Sequence, residues 1–532
     1  MAFSTRYDAV IVGSGHNGLV AAAYLANAGQ SVLVLERNDW IGGATASQRV
    51  FPDYEAFLSR YAYLVSLLPR LILDELGISF ETRRRSVASF TAYERDGAAR
   101  GLVISDADEA RSKASLRELT GGDRAWDGYQ ALLRLEGALA AQAWPSLLRP
   151  IRSRGYWADR FSASALEREA WESFVERPLG EAIESHVQHD VLRGLLFTDG
   201  KIGVFSHAHD PSLIQNRCFL YHVIGQGTGE WRVPVGGMRT LVDGLIRRAT
   251  DAHARIEANS PVAAVYDLGK RHAVVFEHDG REQTVDADRV LVNAGPRTFA
   301  RLFGREYASI ATDEGSVTKV NMLLCRLPRL RAPGIAPAEA FAGSFHVDEG
   351  YAAMEASYRQ AEAGALPELP PFEIYCHTLT DDSILSPALR AEGYQTLTLF
   401  GLDAPYRLFA KDEAARKEEL TRRYLAALNR VTAEPFEDCL ARDSKGGLCI
   451  EIKSPQDLER ELDLDLGNIF HNSLSWFFTD DPEEDGTWGV ETDMRGVYRC
   501  GSSALRGGAV SGVPGFLVAR KIFEEERVLV RG

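Results

Sequence analysis

The chain lacks several features that would place it in a class at once. Its six cysteines, Cys218, Cys325, Cys376, Cys439, Cys449 and Cys500, form no C-x-x-C pair, which argues against a redox dithiol or a zinc ribbon. Cysteines scattered in this way read as small core residues in a reducing compartment. No run of about eighteen apolar residues is present, so no segment reads as membrane-spanning. Residues 1–8 carry no apolar signal region, which makes the cytoplasm the expected location and leaves a peripheral membrane contact open. Positive charge is not in excess. The formal net charge is −15, and an acidic surface opposes nonspecific binding to nucleic acid, which needs clustered Lys and Arg. Neither H-E-x-x-H nor a paired-carboxylate motif appears. The cluster His207-Ala208-His209-Asp210 lacks a second ligand group, so no metal is expected. Material for a core is plentiful: 532 residues at 45% hydrophobic suit two domains rather than one.

Residues 8–13 are a short apolar run ending in glycine, as in a buried parallel strand. A helix rich in Ala and Leu is predicted over 17–29, with Gly29 as its C-cap, and a second buried strand over 31–36. Strand, helix and strand in this order make a βαβ unit. From about 55 to 220 amphipathic stretches such as 115–148 and 165–194 predict a largely helical region, with strand near 86–104. A helix over 239–253, strands over 261–266, 272–278, 288–295, 316–326, 372–376, 395–401 and 497–501, and helices over 411–431 and 516–525 complete the expectation. The class is α/β.

Gly13-Ser14-Gly15-His16-Asn17-Gly18 fits G-x-G-x-x-G. Gly13 permits the tight turn, Gly15 lets backbone approach a pyrophosphate, and Gly18 lets helix and strand pack closely. The helix start offers free N–H groups to phosphate. Glu36 closes the next strand, where a carboxylate accepts bonds from the ribose hydroxyls and repels the 2′-phosphate of NADP. This turn serves NAD as well as FAD. The following Arg37-Asn38-Asp39-Trp40-Ile41-Gly42-Gly43-Ala44-Thr45 decides between them. A glycine pair just past the ribose acid lets backbone run along the pyrophosphate and ribityl chain, as in flavoproteins of the glutathione-reductase structural class.

Distant blocks extend the pattern: Pro234-Val235-Gly236-Gly237-Met238, Asn259-Ser260-Pro261-Val262, Asn293-Ala294-Gly295-Pro296, residues 454–471, and Tyr498-Arg499-Cys500-Gly501-Ser502 leading to the glycine-rich 507–515. With 8–45 and 49–80 they make the chain resemble the phytoene-desaturase-like FAD oxidoreductases from end to end, in blocks. The resemblance implies a glutathione-reductase-type, Rossmann-like FAD-binding domain from 1–80, 225–310 and 440–532. It implies an inserted substrate domain of mixed sheet and helices from 81–224 and 311–439, as in amine oxidases and phytoene desaturases. It places Val262 by the adenine, Ala294 and Gly295 against the cofactor, and Gly501, Ser502, Gly512 and Val513 by the ribityl chain and flavin edge. One departure stands out: where the family commonly has His-Pro-Gly-Gly-Gly-Val, this chain has Leu505-Arg506-Gly507-Gly508-Ala509-Val510.

Few catalytic side chains are expected, since the flavin accepts the hydride and the protein positions it. Lys319 matches an amine-oxidase lysine that holds a water near flavin N5; the other reading is a strand-edge lysine reaching solvent. His222 either lines the cavity or is a bonded core histidine. His471 is read as bonding the C-terminal loop or the cofactor. Arg506 either receives an anionic substrate group or is a solvated loop arginine. Tyr61, with Tyr63, Leu64 and Leu68, lines a tunnel or forms a helical core face. The expected function is FAD-dependent dehydrogenation or desaturation of a small, largely apolar or amphipathic molecule, with oxygen or a quinone as acceptor. The alternatives are an amine or amino-acid oxidase, and a noncatalytic binding protein built like the GDP-dissociation inhibitors.

Overall fold

The structure, a computed structural model, describes residues 3–308 and 314–531. Its first unit is the βαβ of strand Arg6–Val12, helix His16–Asn27 and strand Val32–Leu35. Val10, Ile11, Leu33 and Val34 are fully buried, because helices cover one face of this parallel pair and a second apolar cluster covers the other. The sheet runs Val262–Asp267, His272–His278, Arg281–Val292, Arg6–Val12, Val32–Leu35, Arg255–Glu257. Strand Val497–Arg499 adds in parallel to the end of Arg281–Val292. The strand expected over 288–295 is thus the second half of a longer one, whose first half pairs antiparallel with His272–His278.

Helix His16–Asn27 is buried from His16 to Ala26. It is flanked by helices Arg239–Asp251 and Val513–Arg531. The second crossing is close: a Cβ on Gly515 would lie 2.1 Å from the Asn17 carbonyl oxygen. The chain's last helix is therefore fixed against its first, and it starts three residues earlier than the sequence suggested.

A second seven-stranded sheet has the order Ile450–Lys453, Thr318–Leu324, Gln395–Gly401, Phe372–Tyr375, Ser344–Val347, Ser89–Arg95, Ala98–Ile104. All its pairings are antiparallel except that of Ser344–Val347 with Ser89–Arg95. Strand Ile450–Lys453 lies inside the segment expected for the FAD-binding domain, yet it pairs at the edge of this second sheet. Residues 109–223 form a run of helices joined by turns, and Gly121-Gly122 splits the stretch 115–148 into helices Glu109–Thr120 and Arg124–Ala143. Among the described residues no helix is long and apolar enough to cross a membrane.

One buried ion pair ties the helical segment to the second sheet. Lys201 Nζ lies 2.8 Å from Asp403 Oδ1, with side chains 1% and 0% exposed. Replacing Lys201 by Met leaves a buried carboxylate without its partner, which costs about 3–5 kcal/mol. Thermal unfolding of the holoprotein checks this: Lys201→Met should melt well below the parent, and adding Asp403→Leu should recover much of the loss.

Candidate flavin site and substrate chamber

The glycine turn is built by contacts that leave no room for side chains. Gly13 has φ 93°, and a Cβ there would meet the Asn293 carbonyl oxygen at 2.5 Å. A Cβ on Gly18 would meet the Gly13 carbonyl oxygen at 2.5 Å. Asn293 latches the turn: its side-chain amide donates to the carbonyls of Gly13 and Gly15 at 3.1 and 3.2 Å. Gly15 bridges to Gly42, and a Cβ on Gly43 would lie 3.2 Å from the Gly15 Cα. The two glycine segments therefore meet backbone to backbone beside the helix start.

Glu36, 6% exposed, is held in place by three donors. Its Oε2 accepts from the Ser14 N–H at 2.9 Å and the Ser14 hydroxyl at 2.7 Å, and its Oε1 accepts from the Asn38 N–H at 3.0 Å. Its remaining accepting capacity faces a cavity of ≈ 620 Å³. Along that cavity lie Gly13, Gly15, Arg37, Gly43, Ala44, Val262, Ala294 and Ser502. The other predicted cofactor positions stand behind it. Gly18 and Gly501 pack on Asn293, Gly42 (φ 112°) on Val242, Gly295 near Asp463, and Gly512 on Val20 and Leu68. Thr45 donates to the Gly42 carbonyl at 2.5 Å. Val513 opens the C-terminal helix and is buried.

Two buried histidines near the turn have ring nitrogens without a partner, Nε2 of His16 and Nδ1 of His471. Both line the cavity. Burial holds each pKa down to about 4, with His471 adding to the effect at His16, so both rings are neutral. A glycine turn at a helix N-terminus, an oriented ribose acid and unsatisfied polar atoms facing one space fit FAD. His16 stands at an x position of the fingerprint, where the pattern itself constrains only the glycines. A polar residue at an x position was the available signal.

The same cavity continues past Ala44 and Tyr61 to Lys319 and beyond. Lys319 is 2% exposed. Its Nζ donates to the Tyr61 carbonyl at 2.9 Å and sits 4.1 Å over the Tyr63 ring. Burial pushes its pKa well below the usual lysine value, with Glu451 opposing only in part. It does not reach solvent. The Ala62 N–H bonds to the Ala44 carbonyl at 3.0 Å, which places Lys319 beside the Gly42-Gly43-Ala44 segment. His222 lines the cavity, with Nδ1 2.8 Å from the Cys218 carbonyl and its ring 5.3 Å from Trp231. The Tyr61 ring lines the cavity while its hydroxyl donates to Glu461.

Arg506 must be reassigned. It is 3% exposed, and its guanidinium donates to the carbonyls of Ser146, Arg149 and Trp488. It staples the C-terminal loop to the helical segment and does not line the cavity that holds Lys319. The solvated alternative fails as well. What the sequence reading missed is a set of charged groups in the chamber: Glu136, Asp199, His346 and Glu373.

Comparison with known proteins bears on this geometry. Residues 18–438 match the model of the flavin containing amine oxidoreductases. The chain belongs to that family. An uncharacterized protein of Mycobacterium tuberculosis is 43% identical over 97% of both chains. Pyridine nucleotide-disulfide oxidoreductase domain-containing protein 2 of Mus musculus is 28% identical over 98% of this chain and 94% of its own. A solved structure of a redesigned putrescine oxidase superposes with a TM-score of 0.58 at 18% identity, covering 99% of each chain, and shows the same fold. FAD is thus the cofactor of this flavin-containing amine oxidoreductase. The family match begins at residue 18, after Gly13 and Gly15, so the phosphate end rests on the structure itself.

Glu36→Ala removes the only side chain oriented by both Ser14 and Asn38, a loss of about 1.5–3 kcal/mol for hydrogen bonds to a charged group. The FAD dissociation constant, read from the fluorescence of released flavin, should rise at least tenfold. Unchanged affinity would remove Glu36 from the ribose site.

Proposed function

We propose that the protein takes a hydride from a C–H bond of an organic molecule held in the chamber beside Lys319. A proton is lost from the neighbouring atom, the substrate leaves with a new C=C or C=N bond, and oxygen or a quinone takes the two electrons and restores the cofactor. The observation that carries this reading is the single cavity joining Glu36 to Lys319 and then to the chamber. When bound, FAD supplies the hydride acceptor at N5 of its isoalloxazine ring.

The chain's own residues supply position and proton handling. Gly13, Gly15, Gly43 and Ala44 admit the pyrophosphate and ribityl chain, and Glu36 fixes the adenosine ribose. Lys319, held by the Tyr61 carbonyl and with its pKa pushed well down by burial, can hold a water or a proton at the junction. Phe400, Tyr63 and Leu64 line the passage and exclude bulk water. His222 orients the substrate from the helical side.

A dehydrogenase or desaturase of phytoene-desaturase type is the first reading. Amine oxidation is the second: it keeps Lys319, loses Arg506 and gains the chamber carboxylates. A noncatalytic role like that of the GDP-dissociation inhibitors is disfavoured by the intact Glu36 site and the open cavity.

Purified protein should be yellow, and anaerobic addition of lipids, carotenoids, amines and amino acids should bleach it with at least one class. Lys319→Met should stay yellow yet react about 100-fold more slowly in reduction or reoxidation, the scale of a lost proton-transfer group. A colourless protein that never takes up FAD would sink the proposal.

A further inference from the structure

The chamber holds more charge than hydride transfer requires. Its floor is one face of the second sheet. Lys319 pairs in register with Phe400, Phe400 with Glu373, and Glu373 with His346. All four line the cavity, so they form a single cross-strand row. Neighbouring strands stand about 4.8 Å apart, which puts Glu373 about 10 Å from Lys319 along the row. The roof is helical. Glu136 comes from helix Arg124–Ala143 and Asp199 from the turn Thr198–Gly200, and both line the same space.

These carboxyl groups are not used up by the fold. Glu373 is 2% exposed, lines the cavity, and its Oε1 has no hydrogen-bond partner. Among the described residues, none of Glu136, Asp199 and Glu373 belongs to an ion pair. His346 is already committed to Glu349, at 2.5 Å. Arg85 is a fixed cation within electrostatic reach of Asp199, and it donates to the Ser344 hydroxyl at 3.0 Å and lies over the Tyr375 ring. Arg84 and Asp106 line the same cavity, and Arg84 is committed to Glu230 at 2.6 Å.

We propose that the far end of the chamber binds a positively charged nitrogen of an organic cation, between Glu373 below and Glu136 and Asp199 above, as an anchor remote from the carbon that is oxidised. This rests on the reading of the cavity as the substrate chamber of a flavin enzyme. A nitrogen held at Glu373 lies two strands from Lys319. The carbon presented beside Lys319 is then several bonds away, and the segment between them crosses Phe400 and Tyr63. The substrate class is an amphipathic cation with an apolar body.

The anchor is also linked to protons. Burial first, and then Asp199, push Glu136 up to about 8. Burial raises Asp199 as well, with Glu349 adding and His222, His346 and Arg85 opposing. Burial and Glu349 raise Glu373, with His346 and Tyr375 opposing. Tyr129, within reach of Glu136, stays neutral. Near neutral pH the empty chamber thus stores protons. A cation favours the ionised carboxylates, so binding expels a proton and tightens as pH rises through about 8.

The probe is n-octyltrimethylammonium, whose charge is fixed, titrated calorimetrically into the flavin-loaded protein at pH 6.5 and 8.5 in two buffers of different ionisation enthalpy, with n-octanol as the neutral control. The expected result is proton release, binding about tenfold tighter at pH 8.5, and no such dependence for octanol. Glu136→Gln and Glu373→Gln should each weaken the ammonium at least tenfold while leaving the flavin spectrum unchanged. Octanol binding as tightly as the ammonium at pH 8.5, or undiminished binding by both variants, overturns the anchor alone in a protein that is yellow and bleached by a substrate. A colourless protein removes the flavin reading and the anchor with it.

Discussion

The cofactor end depends on stretches of backbone that meet with room for no side chain but that of Asn293. Gly13 and Gly18 approach the carbonyl and side chain of Asn293, and Gly15 approaches Gly43. A methyl group at Gly13 or Gly18 would fall at 2.5 Å from a carbonyl oxygen, a distance no repacking of side chains relieves. The closeness follows from the direct pairing of strand Arg6–Val12 with strand Arg281–Val292, which brings Gly13 and Asn293 side by side at the strand ends. It also turns the start of helix His16–Asn27 toward the cavity. The ribose acid, the glycine pair and the C-terminal loop are then arranged around that start, and Gly515 brings the last helix against it.

The proposed substrate end depends on a different constraint, the register of the second sheet. Because side chains alternate along a strand, a slip of one residue would turn Lys319 away from the cavity. The pairings on both sides of Thr318–Leu324 hold that register. They keep Lys319, Phe400, Glu373 and His346 on one face, and they place Lys319 within reach of the Tyr61 carbonyl. The Ala62 to Ala44 hydrogen bond then couples this sheet to the nucleotide end. Residues 61–63 thus bridge the flavin side and the proposed substrate side.

What could be read from the sequence follows from these two constraints. The fingerprint, Glu36 and the Gly42-Gly43 pair are local signals, since each glycine answers to a turn or a close approach visible in a short window. Most strands were legible for the same reason. Lys319 was legible as a lysine inside an apolar strand. Arg506 was misread because its partners, the carbonyls of Ser146, Arg149 and Trp488, come from segments that only the fold brings together. Glu136, Asp199, Glu373 and His346 were passed over because each looks ordinary alone: one acid on an amphipathic helix, one in a turn, two residues in short strands. Their meaning lies in pairing and packing, and no short window contains either.

The molecule handles buried carboxylates in two ways, and the contrast separates structure from chemistry. Asp403 is fully buried and paired with Lys201 at 2.8 Å, so its partner offsets part of the penalty of removing a charge from water, although burial still raises its pKa. Glu136, Asp199 and Glu373 have no such partner, and burial raises the pKa of each. A core built only for stability would replace such groups by apolar residues, since an unsatisfied buried polar atom costs about 1–3 kcal/mol. Conflicts of this kind concentrate where a protein does its work. Here all three fall on the walls of one cavity, in the continuation of the flavin site. The same low-dielectric surroundings that push the Lys319 pKa down make each of these carboxyls a strong partner for a charge that arrives with its ligand. The chamber is thus prepared electrostatically for an occupant more polar than a hydrocarbon.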